Sequence, residues 1–285
     1  MLYTENGRIL QYLKLKYINN GLNMDTQKRI KSTIKPQKPT TISPYNGQHI
    51  GLREEQQDSF TYSDVFDSAE REKYGAVAIL ADGMGGMENG KRASETASQV
   101  FLEAYKSSVD EFCDIKSQLL YAVNEANEAV KKIDGAGTTL CAVVIKDWLL
   151  HWVSVGDSRI YLYRNGTLRQ LNYEHNYEKV LSDMVQSGQI SLQQALNDPQ
   201  RNALTSYIGM ESLEEADIST HNFPLFKGDS IMLCSDGLYR ALSDDEMAYI
   251  IKNANDSVCD VLVEKALEKN ISSQDNITVM LMDID

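Results

Sequence analysis

The chain has 285 residues and an acidic composition, with 28 lysine and arginine residues against 41 aspartate and glutamate residues. The net charge of −13 argues against a basic nucleic-acid-binding surface, because a negative field repels phosphate backbones. The hydrophobic share of 42% is that of a globular protein, and the length fits one large domain or two small ones.

Charge and proline content separate the first 45 residues from the rest of the chain. Eight basic residues stand there against two acidic ones, so this segment carries about +6 and the remainder about −19. Three of the five prolines fall in the stretch KPQKPTTISP, which lacks apolar periodicity. We therefore expect a basic, flexible N-terminal extension over residues 1–45 and one domain over residues 46–285.

The extension leaves its own role open. Its basic segment ILQYLKLKYI fits either a surface that docks on a membrane or a partner, or a poorly ordered tail. Met24, followed by polar residues, is a candidate for the true start of translation. The four cysteines include no C-x-x-C pair, and no apolar run approaches the ~18 residues of a membrane span. We expect a cytoplasmic protein.

From residue 49 onward the chain alternates between strand and helix patterns. The continuous apolar run in YGAVAILADG predicts a buried strand that leads into a loop. Apolar residues then recur at helical spacing in KRASETASQVFLEAYKSS and in IKSQLLYAVNEANEAVKKI. This spacing predicts two amphipathic helices after the first buried strand.

Three β-rich runs follow, TTLCAVVI, LLHWVSVG and SRIYLYRNGTLRQL. Their spacing predicts an antiparallel meander, and Asn165-Gly166 predicts a tight hairpin because both turn positions need positive φ. Two further strands, DSIMLCSDG and NITVMLMDI, lie on either side of the helical pattern DVLVEKALEK. Residues 173–222 are mostly polar with broken helical patches, which indicates a surface subdomain or lid.

Four aspartates stand at the ends of predicted strands: Asp82, Asp157, Asp236 and Asp275. Any one of them is most simply a turn former, and an acidic body by itself serves solubility. If the strand ends converge, the like charges need cations between them. Carboxylates without nearby histidine or cysteine favour Mg²⁺ or Mn²⁺ over zinc. Such a centre suits the hydrolysis of phosphate esters.

Six motifs follow one another over most of the chain: GLREEQQDSF, ADGMGGMENG, GAGTTL, VGDSRIYLYRNG, SDGLYRALS and QDNITVM. In this order they resemble the metal-dependent serine/threonine protein phosphatases of the PP2C (PPM) family, and the DGMGG form is similar to its bacterial branch. The resemblance implies an α+β fold, an α-β-β-α sandwich of two antiparallel β-sheets flanked by helices. Residues 173–222 would form the flap subdomain beside the active site.

The resemblance also implies a binuclear centre that holds Mn²⁺ or Mg²⁺. By position in the motifs, its ligands would be Asp58, Asp82, the backbone carbonyl of Gly83, Asp236 and Asp275. Asn276 would support Asp275, since residues behind the ligands orient them.

Arg53 matches the phosphate-binding arginine of the family. A planar guanidinium can bind two phosphoryl oxygens at once, which a lysine cannot do. The alternative for this side chain is a surface salt bridge with Glu54 or Glu55.

Bacterial members of the family also hold a third ion, mainly through the positions of Asp157 and Asp236. Four residues after Asp236 this chain has Arg240, a cation that cannot bind a metal, so we expect the third site to be weakened. Met84 stands where eukaryotic relatives have histidine. Neither His151 nor His175 is an evident substitute, and we expect both to be structural.

The resemblance thus implies a protein-serine/threonine phosphatase in which a water that bridges the two metals attacks phosphorus directly. The implied partners are phosphorylated proteins and a serine/threonine kinase whose action the enzyme reverses, with no nucleic acid and no membrane span. The family resemblance favours a monomer. Two alternatives stay open, a non-catalytic phosphatase-like module that binds phosphoproteins and a phosphomonoesterase acting on small molecules.

Overall fold

Two antiparallel β-sheets lie face to face between two layers of helices in the computed structural model, which describes residues 39–84, 89–201, 203–213, 215–254 and 257–285. The strands are β1 (Ile42–His49), β2 (Asp58–Tyr62), β3 (Ala76–Asp82), β4 (Leu140–Lys146), β5 (Leu149–Val155), β6 (Arg159–Arg164), β7 (Thr167–Gln170), β8 (Asp217–Ile218), β9 (Phe223–Pro224), β10 (Asp229–Cys234) and β11 (Ile277–Ile284). The helices are α1 (Ser68–Tyr74), α2 (Gly90–Ser108), α3 (Ile115–Val130), α4 (Tyr177–Gln186), α5 (Leu192–Leu196), α6 (Asp236–Tyr239), α7 (Asp244–Asn253) and α8 (Val258–Glu268).

Sheet 1 has the strand order β1-β11-β10-β6-β7, and sheet 2 has the order β2-β3-β4-β5-β8, with β9 also pairing with β5. Three apolar layers join the elements. The middle layer lies between the sheets and includes Leu80 and Leu233. One outer layer packs sheet 2 on α2 and α3 through Phe101 and Leu119, and the other packs sheet 1 on α6 to α8 through Leu262. The predicted α-β-β-α sandwich is confirmed.

The burial of both sheet faces explains why the strand sequences are continuously apolar. In β3, Ala78 and Leu80 face the layer between the sheets, whereas Val77 and Ile79 face the helices. Successive side chains of a strand point to opposite faces, so a strand covered on both sides needs an apolar residue at every position. The predicted buried strand is therefore confirmed.

Both predicted amphipathic helices are confirmed as α2 and α3. Asp114 caps α3 by accepting a hydrogen bond from the backbone N–H of Ser117. Leu119, Val123 and Ala126 then form its buried stripe, one helical turn apart. The predicted helix DVLVEKALEK and the two strands around it are confirmed as α8, β10 and β11.

The predicted meander is wrong in one connection. The pairs β4–β5 and β6–β7 are hairpins, and Asn165 and Gly166 turn the second one with φ values of 53° and 78°. Between β5 and β6, however, the chain crosses from sheet 2 to sheet 1. Gly156 makes this crossing at φ 99°, where a Cβ atom would lie 2.7 Å from a methyl carbon of Thr139. The crossing places Asp157 at the border of the two sheets.

The predicted domain boundary at residue 46 falls inside β1, which begins at Ile42. Proline-rich composition indicated a linker here, yet β1 is the edge strand of sheet 1, where proline is tolerated. Thr41 and Asp285 exchange both of their backbone hydrogen bonds. In an antiparallel pair, positions that bond to the partner strand alternate with positions that do not. Pro44 is at a position that does not, so its backbone nitrogen lies on the side away from β11 and the pairing loses no hydrogen bond. The remainder of the predicted extension, residues 1–38, lies outside the described residues.

Helices α4 and α5 lie within the insertion predicted over residues 173–222. The last third of the segment is joined to sheet 2, because Ile208 bridges to Thr138 and β8 pairs with β5. Along the residues that the structure describes, no helix is both long and apolar enough to cross a membrane.

A buried ion pair fastens β6 to the start of β10. Arg164 donates from Nε to Asp229 Oδ1 at 2.7 Å and from Nη2 to Oδ2 at 2.6 Å, and Asp229 is 3% exposed. We expect Arg164→Ala to lower the free energy of unfolding by about 3 kcal/mol, because it leaves a buried carboxylate without its cation. Urea denaturation measures this change. Lys265→Ala, which removes an exposed ion pair with Glu268, is the control; equal midpoints for both variants would contradict the prediction.

Candidate metal centre

Two aspartates face each other at the end of the β2–β3 pair. Asp58 is the first residue of β2 and Asp82 the last residue of β3, and the strand register places them directly opposite each other. Opposite side chains of an antiparallel pair lie on the same face, with Cβ atoms about 5 Å apart. The register of sheet 2 therefore brings these two carboxylates together.

Sheet 1 adds two more aspartates at this position. Asp236 follows β10 and opens α6, and Asp275 precedes β11, the neighbour of β10. Gly237 lies so close to Asn276 that a Cβ atom there would be 2.1 Å from its carbonyl oxygen. A glycine is therefore required for the two aspartate-bearing loops to approach each other in this way.

The structure thus gathers five predicted residues into a group that we call the carboxylate edge: Asp58, Asp82, Asp157, Asp236 and Asp275. Loss of solvation raises the pKa of Asp82 well above its usual value, and the charges of the other four raise it further. Burial raises the pKa of Asp58 to about 6 and that of Asp236 to about 7. Carboxylates that repel one another in this way are stable in their charged form only when positive charge is near.

Asp58 has one satisfied and one unsatisfied oxygen. Its Oδ2 accepts hydrogen bonds from Ser235 Oγ at 2.8 Å and from Thr278 Oγ1 at 2.7 Å. Its Oδ1 is buried and has no hydrogen-bond partner among the described residues. A buried carboxylate oxygen without a partner is costly in a folded protein, and a bound cation satisfies it.

Hydroxyl groups bind Asp58, a backbone N–H and an arginine bind Asp275, and one arginine binds both Asp236 and Asp157. In the part of the chain that the structure describes, no three acidic, histidine or cysteine side chains are arranged as a group that could hold a metal ion. The donor chemistry nevertheless fits divalent metal ions, because it combines oxygen ligands, excess negative charge and the unpartnered oxygen of Asp58. Oxygen donors alone favour Mg²⁺ or Mn²⁺.

Gly83 lies in a tight passage next to Asp82. Its N–H donates to the carbonyl of Gln57 at 3.1 Å, and a Cβ atom would lie 2.4 Å from the carbonyl oxygen of Gly90. The backbone can therefore follow this path only without a side chain. The predicted role of the Gly83 carbonyl as a ligand stays a prediction, and residues 85–88 lie outside the described part of the chain.

Arg53 reaches the carboxylate edge from the loop between β1 and β2. Its Nη2 lies 2.6 Å from Asp275 Oδ2, and 46% of its side chain is exposed. The salt-bridge partner is thus Asp275, rather than Glu54 or Glu55. The exposed remainder of the guanidinium can bind a phosphate that approaches from solvent.

Asn276 contacts both Asp275 and the loop that carries Arg53. Its backbone N–H donates to Asp275 Oδ1 at 2.8 Å. Its side-chain Nδ2 donates to the carbonyls of Ile50 and Glu55, and its Oδ1 accepts from the N–H of Gln57 at 2.8 Å. The side chain therefore holds the loop that carries Arg53, a function that the sequence analysis did not predict.

Arg240 lies between two aspartates of the carboxylate edge. Its Nε is 2.9 Å from Asp236 Oδ2, and its Nη2 is 3.6 Å from Asp157 Oδ2. Sequence reasoning found only that Arg240 cannot bind a metal, and it missed the hydroxyls of Ser235 and Thr278. Both hydroxyls stand close to motif aspartates in the sequence, but only the folded sheets show that they serve Asp58.

The sequence profile described as protein phosphatase 2C matches residues 48–272, which is more than half of the chain. The chain belongs to the protein phosphatase 2C family. It is 33% identical over 230 residues to the serine/threonine phosphatase stp of Listeria welshimeri, covering 77% of this chain and 87% of that relative.

Solved structures of relatives agree with this family membership. The serine/threonine phosphatase of S. agalactiae matches with a TM-score of 0.70 and 28% identity, covering 86% of this chain and 100% of that one. The catalytic domain of the phosphatase PstP, in complex with two manganese ions, matches with a TM-score of 0.64 and 27% identity, covering 85% and 98%. These matches confirm the predicted family and its fold.

The two histidines considered in the sequence analysis, His151 and His175, differ in burial. His151 is part of β5 and is partly exposed, and burial lowers its pKa. His175 is 1% exposed, and its Nδ1 accepts a hydrogen bond from the N–H of Gly156 at 3.2 Å. Burial lowers the pKa of His175 to about 4, so its imidazole is neutral at pH 7. It holds the turn that presents Asp157.

The burial of His175 makes stability depend on pH. Between pH 6.5 and about 4 the unfolded chain binds a proton that the folded chain does not bind, so stability falls as the pH falls. From pH 7 to pH 4.5 we expect wild type to lose about 2 kcal/mol more than His175→Gln, because the other titrating groups are common to both proteins. Urea unfolding at both pH values measures the difference, and parallel pH profiles for the two proteins would contradict it.

Proposed function

We propose that this protein phosphatase 2C family member hydrolyses phosphoserine and phosphothreonine in proteins at a centre of two divalent ions, Mn²⁺ or Mg²⁺, and so reverses the action of a serine/threonine kinase. The relative from Listeria welshimeri is a serine/threonine phosphatase, and the matching PstP domain was solved with two manganese ions. The observation that carries the proposal is the carboxylate edge, where charged oxygens from both sheets meet beside an exposed arginine.

Asp58, Asp82, Asp236 and Asp275 would hold the two ions, together with the carbonyl of Gly83. When bound, such ions supply positive charge to the phosphoryl oxygens and make water nucleophilic at neutral pH. An aspartate can itself attack phosphorus, but the aspartates of the carboxylate edge would be engaged as ligands of the ions, and we therefore propose direct attack of water without a covalent phosphoenzyme. Asp157 stands beside these residues and is not needed for two ions.

Arg53 would orient the phosphate. Its loop is fixed by the side chain of Asn276, and its guanidinium is anchored at one nitrogen by Asp275. The remaining donors point along a plane that matches two phosphoryl oxygens. An arginine already held in place loses little freedom when it binds, so it favours the orientation in which the ester bond faces the carboxylate edge.

The retained aspartates favour an enzyme over a non-catalytic phosphoprotein-binding module. The other alternative, a phosphomonoesterase for small molecules, is tested below by comparing turnover of phosphoproteins and of free phosphometabolites. The cytoplasmic location and the monomeric state stay predictions.

The first test removes single carboxylates. With Mn²⁺, we expect Asp82→Asn and Asp236→Asn to lower kcat/KM on a phosphothreonine peptide by about 100-fold or more, because each removes a charged oxygen from the centre. Arg71→Gln is the control, since Arg71 lies on α1 at the far end of β2 and β3. Wild-type rates in both aspartate variants would end the proposal, and faster turnover of free phosphometabolites than of phosphoproteins would reassign the substrate.

A second test addresses the phosphate contact. We expect Arg53→Lys to raise KM for phosphopeptides about tenfold, because lysine keeps the charge but loses the paired geometry. Its far-ultraviolet circular dichroism spectrum and Mn²⁺ binding should match those of wild type. An unchanged KM would show that Arg53 serves only as the ion-pair partner of Asp275.

A further inference from the structure

Arg240 is held inside the carboxylate edge by two aspartates that belong to different connections of the fold. Asp236 is the first residue of α6, and Asp157 lies in the crossing from β5 to β6. Both side chains are largely buried, with exposed fractions of 18% for Asp236 and 8% for Asp157. The guanidinium therefore bridges the two carboxylates.

The local fold places Arg240 there. It follows α6 directly, and its backbone N–H donates to the carbonyl of Asp236 at 3.0 Å. Residues four apart lie on the same face of a helical turn, so the side chain returns to the residue that opens the helix. Arg240 Nε then binds Asp236 Oδ2, and Nη2 extends toward Asp157.

The charge balance at this point differs from that on the other side of the carboxylate edge. Burial raises the pKa of Asp157, and so does the negative charge of Glu174. The positive charge of Arg240 lowers this pKa. Glu174 is itself paired with Arg159 at 2.7 Å. Arg240 is thus the cation that compensates Asp157 directly. Asp58, by contrast, keeps a buried oxygen without a partner among the described residues.

A metal ion between Asp157 and Asp236 would have to displace this guanidinium. The displaced arginine would lose both carboxylate partners, and the ion would meet the repulsion of a positive charge a few Å away. The residues present therefore do not fit the third ion that the family resemblance implies.

We propose that Arg240 is a built-in cation that takes the place of a third metal ion, so that the enzyme holds two ions, and that Arg240 positions Asp236 for them. The inference rests on the proposed two-ion centre. Asp236 Oδ2 is bound by the arginine, which fixes the carboxylate and leaves Oδ1 as its free oxygen for an ion. A cation that is part of the chain is present at every metal concentration. Activation by Mn²⁺ should therefore follow the filling of the two sites, without a second phase at higher concentration from a weaker third site.

Equilibrium dialysis with Mn²⁺, followed by metal analysis of the protein, tests the proposal without using activity. Wild type should bind two ions per chain. Arg240→Asp and Arg240→Gln should bind a third ion. The dissociation constant of this ion should be at least about tenfold lower than that of any third ion that wild type binds. Arg71→Gln, which removes the same charge at the far end of the strands, should bind two ions as wild type does.

Asp157→Asn provides an independent measurement if the Arg240 variants fail to fold. This variant should bind two ions with wild-type affinity, because Asp157 pairs with Arg240 rather than with a metal. Loss of an ion in Asp157→Asn would overturn the proposal, as would a third ion in wild type held within about threefold of the Arg240→Asp affinity. Two ions in every Arg240 variant would overturn it as well. Absence of bound Mn²⁺ from wild type is a different result, since it would remove the proposed function itself.

Discussion

The repulsion among five carboxylates at the border of two sheets is the constraint on which the site depends. Several groups hold these carboxylates: hydroxyls bind Asp58, a backbone N–H and Arg53 bind Asp275, and Arg240 binds both Asp236 and Asp157. A set of this kind is stable only because its compensating groups are fixed by strands and helix ends on both sides. The sandwich thus serves the site as a frame that keeps like charges together.

Much of the fold could be predicted from periodicity, and the failures have a common cause. Strands covered on both faces must be apolar throughout, and Asn165-Gly166 defines a hairpin by its own conformational needs. Local pattern does not say which sheet a strand joins. The crossing at Gly156 depends on its contact with Thr139, and the position of β1 depends on Asp285 at the other end of the chain. Neither contact is visible in a local window.

The site was predicted to a similar depth. Aspartates at strand ends and their motif order predict the charged residues, because one such aspartate is most simply a turn former but four of them in the order of family motifs are not explained in that way. The groups that hold them are ordinary serine, threonine, asparagine and arginine residues, and these types occur everywhere on a protein surface. Ser235 acquires its role only when the start of β2 lies next to the ends of β10 and β11. Arg240 acquires its role only when the turn of α6 brings its side chain back to the residue that opens this helix. Such roles follow from tertiary structure.

Pro44 has a consequence beyond the position of the first strand. Among the described residues sheet 1 ends at β1, and an unpaired strand edge offers a row of backbone donors and acceptors to any extended chain that meets it. A proline that faces outward in the middle of this edge removes one donor and places its ring where a neighbouring strand would lie. The same residue that gives the sequence its linker-like composition therefore protects the edge against intermolecular strand pairing and aggregation.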